Sequence, residues 1–299
     1  MNPLSLALSI EWDDCTVAVS GDQVPDIDLS ARQTAGATNG PQASRDALTL
    51  VQTALRQAGQ PLSAVEHFHF NAGPGAFTSL RMAAGLMQGL ALPGQRPVGA
   101  IGSLVALTAT IPGWQAAAAG MRTASSTSRS PAATPEAGQG AGQSSANPWL
   151  VCAAIDARMG ECYFAAYLCQ PGHWPHMVLP PSVGTADKAA QTFTDVIRQQ
   201  SAIGPDRLHL AGGAFGEGFA ALQAFAQAHG QDAAAAAGRR PGAREVLDMA
   251  RSIGAPAPGP ARMAMPHYVR DQVALDRDAQ REAAARREAA RQAGSGPRP

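Results

Sequence analysis

Apolar positions along the chain fall into short runs separated by turn-forming residues, and the period of those runs alternates between two and about 3.6. Residues 4–10 (LSLALSI) and 15–20 (CTVAVS) are compact apolar runs bounded by Asp13-Asp14 and Gly21-Asp22, which predicts a strand pair. A third strand is expected near Ile27 and Leu29. The spacing then changes. Ser44 is a residue type that caps helices, and Leu48, Val51 and Leu55 follow at i, i+3 and i+7, which predicts a helix ended by Gly59. Residues 65–70 (VEHFHF) predict a further strand, 71–75 a loop, and 78–92 a second helix stopped by Pro93-Gly94. The run from Pro97 to Ile101 should re-enter a sheet.

The stretch from Gln115 to Pro148 differs in kind, being Ala, Ser, Thr, Gly and Pro with no apolar period. Such a composition cannot bury enough surface to offset the entropy of ordering, so it predicts a disordered insertion. Pattern returns at Trp149. Residues 149–156 and 161–168 predict two strands joined by a hairpin turn, 188–199 a helix, and 207–211 a strand running into Gly212-Gly213. A helix is expected from Glu217 to His229, low-complexity sequence over 232–243, and a helix near 243–253. Beyond Pro266, the segment 276–292 is Ala, Arg and acid with almost no apolar stripe, as in a solvated or fraying helix. Strands and helices alternate in both halves, and each half opens on a hairpin. The expectation is an α/β protein of two related domains with mixed sheets. The divisions are an N-terminal domain over 1–113, the insertion over 114–148, a second domain over 149–262, and an extended, charged C-terminal segment over 263–299.

Composition adds constraints. Of the 299 residues, 45% are hydrophobic and 5% aromatic, enough for a core if the low-complexity stretches are left out of it. Lys and Arg number 23, as do Asp and Glu. A neutral chain is a poor candidate for the main grip on a nucleic acid, which needs a clustered basic face to displace counterions. Cys15, Cys152, Cys162 and Cys169 form no C-x-x-C pair and read as reduced, buried thiols of a cytoplasmic protein. No apolar run is long enough to span a bilayer, and the opening Met1-Asn2-Pro3 lacks a basic leader, so neither membrane nor export is expected.

Candidate chemistry is sparse. Gly73-Pro74-Gly75 before a helix could cradle an anion, yet no Gly-Lys-Ser/Thr follows, and a tight turn accounts for the same residues. His67 and His69 share one strand face and could begin a metal site, but no third ligand has evident spacing, and an exposed strand face is the simpler account. Asp156 and Glu161 flank the hairpin turn with Arg158; such carboxylates can do acid–base work or cap and solvate the turn. Gly85 and Gly89 lie four apart in the second helix beside Ala84, and each mid-helix glycine costs about 1 kcal/mol relative to alanine. They permit close backbone approach, either to the chain's own sheet or to another molecule.

Three blocks carry a family resemblance. The segment NAGPGAFTSLRMAAGLMQGLAL from Asn71 resembles the TsaB signature G-P-G-S-F-T-G-x-R-x-G, with Gly73, Pro74, Gly75, Phe77, Thr78 and Arg81 matching, followed by Gln88-Gly89-Leu90-Ala91. Ala76 and Ser79 stand where that signature has Ser and Gly. AAIDARMGECYFAAY from Ala153 is similar to the family's second-domain hairpin, and PHYVRDQVA from Pro266 to its P-x-Y-x-R close. The resemblance implies two domains of the actin-like, ribonuclease-H-like ATPase superfamily. It also implies a non-catalytic scaffold subunit of the tRNA threonylcarbamoyladenosine modification complex. Such a subunit binds the catalytic subunit TsaD, joins the ATPase TsaE, can form a homodimer through the same helix, and meets tRNA only through the complex. The implied interface is Thr78, Arg81, Ala84, Gly85, Gln88 and Gly89, with Gly73, Pro74 and Gly75 as the signature loop. No catalytic residue, cofactor or metal is implied. Two departures bear on the alternative of an ATPase or small-molecule kinase of that superfamily. Ser9-Ile10-Glu11-Trp12-Asp13 replaces I-D-T-A/S at the end of the first strand, and Ala43-Ser44 replaces H-S or H-T. Gly212-Gly213 stands where such ATPases hold nucleotide.

Overall fold

A computed structural model describes residues 3–11, 14–22, 24–32, 41–114, 148–170 and 172–269. The expectations for the 115–147 stretch, for Trp12-Asp13 and for the tail beyond Val269 lie outside these residues. The described residues up to His267 form one compact unit.

Its first sheet contains β1 (Ser5–Glu11), β2 (Asp14–Gly21), β3 (Val24–Arg32), β4 (His67–Gly73), β5 (Pro97–Gly102) and the short β10 (Gly259–Pro260). Their order is β10-β5-β4-β1-β2-β3. β1, β2 and β3 form an antiparallel meander, while β4 runs parallel to both β1 and β5. The second sheet contains β6 (Trp149–Arg158), β7 (Glu161–Cys169), β8 (His176–Thr185) and β9 (Leu208–Ala211), in the order β8-β7-β6-β9. It repeats the plan, with β6, β7 and β8 in a meander and β9 parallel to β6. In each half a helix, α1 (Pro41–Gln57) or α4 (Ala186–Gln199), leads from the meander's third strand to the parallel strand. The fold is therefore α/β with two mixed sheets of like topology.

Alternation along the strands creates three cores. Leu6, Leu8 and Ile10 of β1, with Phe68, Phe70 and Ala72 of β4, face α1 and α2 (Phe77–Ala91). Leu150, Cys152 and Ala154 of β6 face α4 and α5 (Ala220–Ala228). Between the sheets, Ala7 and Ala18 from the first and Val151, Ala153 and Ile155 from the second close over α3 (Ser103–Ala106) and α7 (Ala243–Ala250). Trp114 is fully buried in this shared layer. The four cysteines are buried and unpaired. Burial pushes the thiols of Cys15 and Cys162 up to about 12 and raises those of Cys152 and Cys169 as well.

Several expectations change. α1 starts at Pro41 rather than at Ser44; proline suits a first helical position, where its missing N–H is not needed. Leu48 points outward, and Ala47, Val51, Ala54, Leu55 and Ala58 form the buried face. The helix expected from Glu217 starts at Ala220, because Gly218 adopts φ +89° and cannot join it. The alanines after Asp232 are ordered as α6 (Ala233–Gly238), since alanine is the best helix former and the Asp232 carboxylate accepts from the N–H groups of Ala234 and Ala235 at 2.9 and 3.2 Å. β8 was not expected; its Pro180-Pro181 is tolerable because the strand lies at a sheet edge. His69 is buried rather than on an open strand face, because the layer containing α7 covers that side of β4.

Candidate functional site: the signature loop, the α2 face and an adjoining cleft

The signature loop is organised by Asn71, a fully buried residue of β4. Its side-chain N–H groups donate to Ser9 Oγ at 3.1 Å and Glu11 Oε1 at 2.7 Å. Its oxygen accepts from the Gly73 N–H at 3.1 Å and from Ser103 Oγ at 2.6 Å. Both donors and both lone pairs of the amide are thus used, which fixes β1, β4 and α3 against one another. Gly73 turns the chain at φ +100°, and a Cβ there would stand 2.6 Å from Leu80 Cδ1. The Gly73–Pro74 peptide is cis, and Pro74 is buried while Gly75 is half-buried. The Ala72 carbonyl accepts from the His267 N–H at 2.7 Å, so the C-terminal PHYVRDQVA block begins against this loop.

α2 separates its residues cleanly. Leu80, Ala83, Ala84, Met87 and Ala91 are buried against the first sheet, and Ala84 is 4% exposed. Ala84 therefore presents its side chain to the core, where a partner would not meet it. Thr78, Arg81, Gly85 and Gly89 face solvent. A Cβ added at Gly85 or Gly89 would meet nothing within 4 Å, so neither glycine is needed for packing on the chain's own sheet. The Arg81 guanidinium lies 4.0 Å from the centre of the Phe77 ring. Gln88 Nε2 donates to the Ala264 carbonyl at 2.8 Å and ties the end of the folded unit to the helix. Sequence reasoning did not include the exposed apolar residues near this face, namely Phe77 at 38%, Leu92 at 65%, and Met263 and Met265 on either side of Ala264 at 67% and 60%. Their signal was apolar residues at helix ends and in an irregular segment, where periodicity has no purchase.

A second feature adjoins the loop through Glu11. Burial raises this carboxyl from 4.5 to about 7, and the Asn71 and Ser103 hydrogen bonds and the charge of Arg240 offset only part of the shift. Glu11 stands at the junction of two small cavities of about 220 and 240 Å³, which also share Arg240 and Pro241. Gly212 and Gly213 line the larger one. Gly212 takes φ +117° and passes so close to the Ala154 carbonyl that no side chain fits, whereas the space beside Gly213 is open. At the hairpin, Asp156 Oδ1 accepts from the Arg158 N–H at 2.6 Å and its other oxygen lies 3.7 Å from the Arg158 guanidinium. His67 and His69 meet edge to face with ring centres 6.3 Å apart. Burial lowers the His69 pKa to about 3, so that ring is neutral. Among the described residues no group of three or more His, Cys, Asp or Glu is arranged to hold a metal, and no helix is long and apolar enough to cross a membrane.

Residues 41–118, spanning α1 to just beyond Trp114, match the model of the family described as TsaD, tRNA N6-adenosine threonylcarbamoyltransferase. The chain is 31% identical over 120 residues to the tRNA threonylcarbamoyladenosine biosynthesis protein TsaB of Escherichia coli K12, a match covering 40% of this chain and 38% of that protein. The aligned stretch thus spans well under half of the curated relative. Over the whole fold the chain resembles YeaZ from Pseudomonas aeruginosa, with 24% identity, a TM-score of 0.51, and coverage of 89% of this chain and 99% of that one. The chain is thus similar in sequence to TsaB over 120 residues, it carries the signature residues of the Asn71–Leu92 segment, and it shares the fold of YeaZ.

Proposed function

We propose that this chain acts in the biosynthesis of threonylcarbamoyladenosine in tRNA as a non-catalytic subunit that binds a TsaD-type catalytic subunit through the outer face of α2. The observation that carries this reading is the placement of Gly85 and Gly89. Both face solvent with open space above them, although each costs the helix about 1 kcal/mol relative to alanine. Neither glycine improves packing within the chain, but both allow another helix backbone to approach. Exposed Phe77, Leu92, Met263 and Met265 supply apolar area of the kind that interface centres bury. Thr78 and Arg81 provide polar contacts at the helix start. A TsaE-type ATPase joins the assembly, a homodimer competes for the same face, and tRNA is reached through the complex.

The test is Gly85→Leu and Gly89→Leu in the full chain, followed by circular dichroism and by titration with the TsaD of the same host. Both variants should keep the wild-type spectrum and bind TsaD at least tenfold more weakly. Wild-type affinity in a folded variant would remove α2 from the interface. Steady-state ATPase, kinase and peptidase assays of the chain alone should match a mock preparation. Turnover abolished by a point change in the chain would favour the superfamily enzyme instead.

A further inference from the structure

The paired cavities at Glu11 differ in charge. The smaller is lined by the carboxyl groups of Glu11, Asp14, Asp28 and Glu245 with hydroxyls from Ser9, Thr16 and Ser30, and Arg240 is its one cation among the described residues. The larger is lined by Arg158, Arg239 and Arg240 against Glu11 and Asp156. One lobe therefore favours a cation and the other an anion, and the residues they share place them side by side. We propose that this two-lobed cleft binds a small zwitterion, a free α-amino acid, with its ammonium toward the acidic lobe and its carboxylate toward the arginines and the open backbone at Gly213.

Three observations separate this ligand from alternatives. Each lobe, at about 220 and 240 Å³, is smaller than the roughly 300–1,000 Å³ of sites that enclose drug-sized molecules, so each suits one small charged group; a nucleotide would have to span both, which the ATP titration tests. The helix end beside the acidic lobe is already capped. Glu245 Oε2 accepts from the Gly242 N–H at 2.9 Å and Thr16 Oγ1 accepts from the Ala243 N–H at 2.7 Å, so this helix start has little to offer a phosphate. In the basic lobe, Arg239 is fixed by donating to the Leu210 carbonyl at 2.7 Å, which pre-positions its guanidinium as a planar donor for a carboxylate. Glu11, held by Asn71, is the carboxylate common to both lobes.

The site belongs to the isolated chain and stands or falls separately from the α2 interface. It is tested by calorimetric titration of the full chain with the standard L-amino acids, each to 10 mM, and then with the methyl ester and N-acetyl derivative of any that binds. ATP and inorganic phosphate complete the set. The expected result is saturable binding of at least one free amino acid, weakened tenfold or more by either cap. Gly213→Val, which adds a side chain in open space without changing charge, and Arg240→Gln should each abolish binding while leaving the melting temperature and TsaD affinity unchanged. Absence of saturable binding by any amino acid would overturn the proposal. So would equal binding of the capped forms, tighter binding of ATP or phosphate, or undiminished binding by a folded Gly213→Val variant.

Discussion

Single positions on α2 one residue apart behave oppositely. Ala84 is 4% exposed and points into the core, so Ala84→Arg buries an uncompensated charge and should unfold the chain or cost it more than about 4 kcal/mol. Gly85 is exposed with open space beside it, so Gly85→Ala should stabilise the isolated chain by roughly 0.5–1 kcal/mol. Urea melts of the two variants check both signs. Glu11 makes a prediction in pH. Its folded pKa of about 7 lies above its ordinary value of 4.5, so the folded state binds the extra proton. Its contribution is complete below pH 4.5 and is lost as pH rises through 7. Glu11→Gln should therefore be the more stable protein at pH 8, by on the order of 2–3 kcal/mol, with the difference vanishing near pH 4.5. Equal melts at pH 8 would show that the carboxylate is solvated. The signature loop was legible because Gly73 answers a backbone demand that the letters state. The role of Asn71 was not, since its four partners come from β1, β4 and α3, and no local pattern brings them together.

Among elements, α7 joins the halves. Its Arg244 lies 3.2 Å from Asp26 on β3 and 3.3 Å from Asp248, whose side chain is 4% exposed. Arg251, just beyond the helix, donates to Ser20 Oγ and to the Ser20 carbonyl on β2 at 2.5 and 2.6 Å. Removing the Arg244 guanidinium leaves Asp248 buried without that cation, so Arg244→Met should cost roughly 2 kcal/mol; the half-exposed Asp26 keeps the figure below that of a fully buried pair. Thermal denaturation of Arg244→Met beside Arg198→Met, whose ion pair with Asp195 is exposed, supplies the control. Periodicity located α7, because Val246, Leu247 and Met249 are apolar at helical spacing. It could not say which sheet the helix would cover. For the same reason His69 was misplaced: an alternating strand reveals that two faces exist, not that a helix 170 residues later will lie on one of them. β8 escaped notice because edge strands tolerate prolines that central strands do not.

For the whole molecule, the repeated meander-helix-strand plan was visible as two hairpin openings followed by helical spacing. The proposed division at 113 and 149 describes sequence order, whereas the buried layer between the sheets takes Ala7, Ile101, Leu104 and Trp114 from one side and Val151, Ala211 and Leu247 from the other. A fragment ending at residue 114 should therefore lack a sharp thermal transition, and mixing it with a fragment from residue 148 onward should restore one. Independent, reversible melting of both fragments would show two self-sufficient domains instead. The late position of α7 also sets a timetable for synthesis. All of the first sheet except the short edge strand β10 has been made by Trp114, but the cover of its inner face ends at Ala250. At about 5–20 residues per second, the nascent chain holds that face uncovered for roughly 7–27 s. During that interval it is a substrate for ribosome-associated holdases, and slow codons between the two halves would lengthen the exposure.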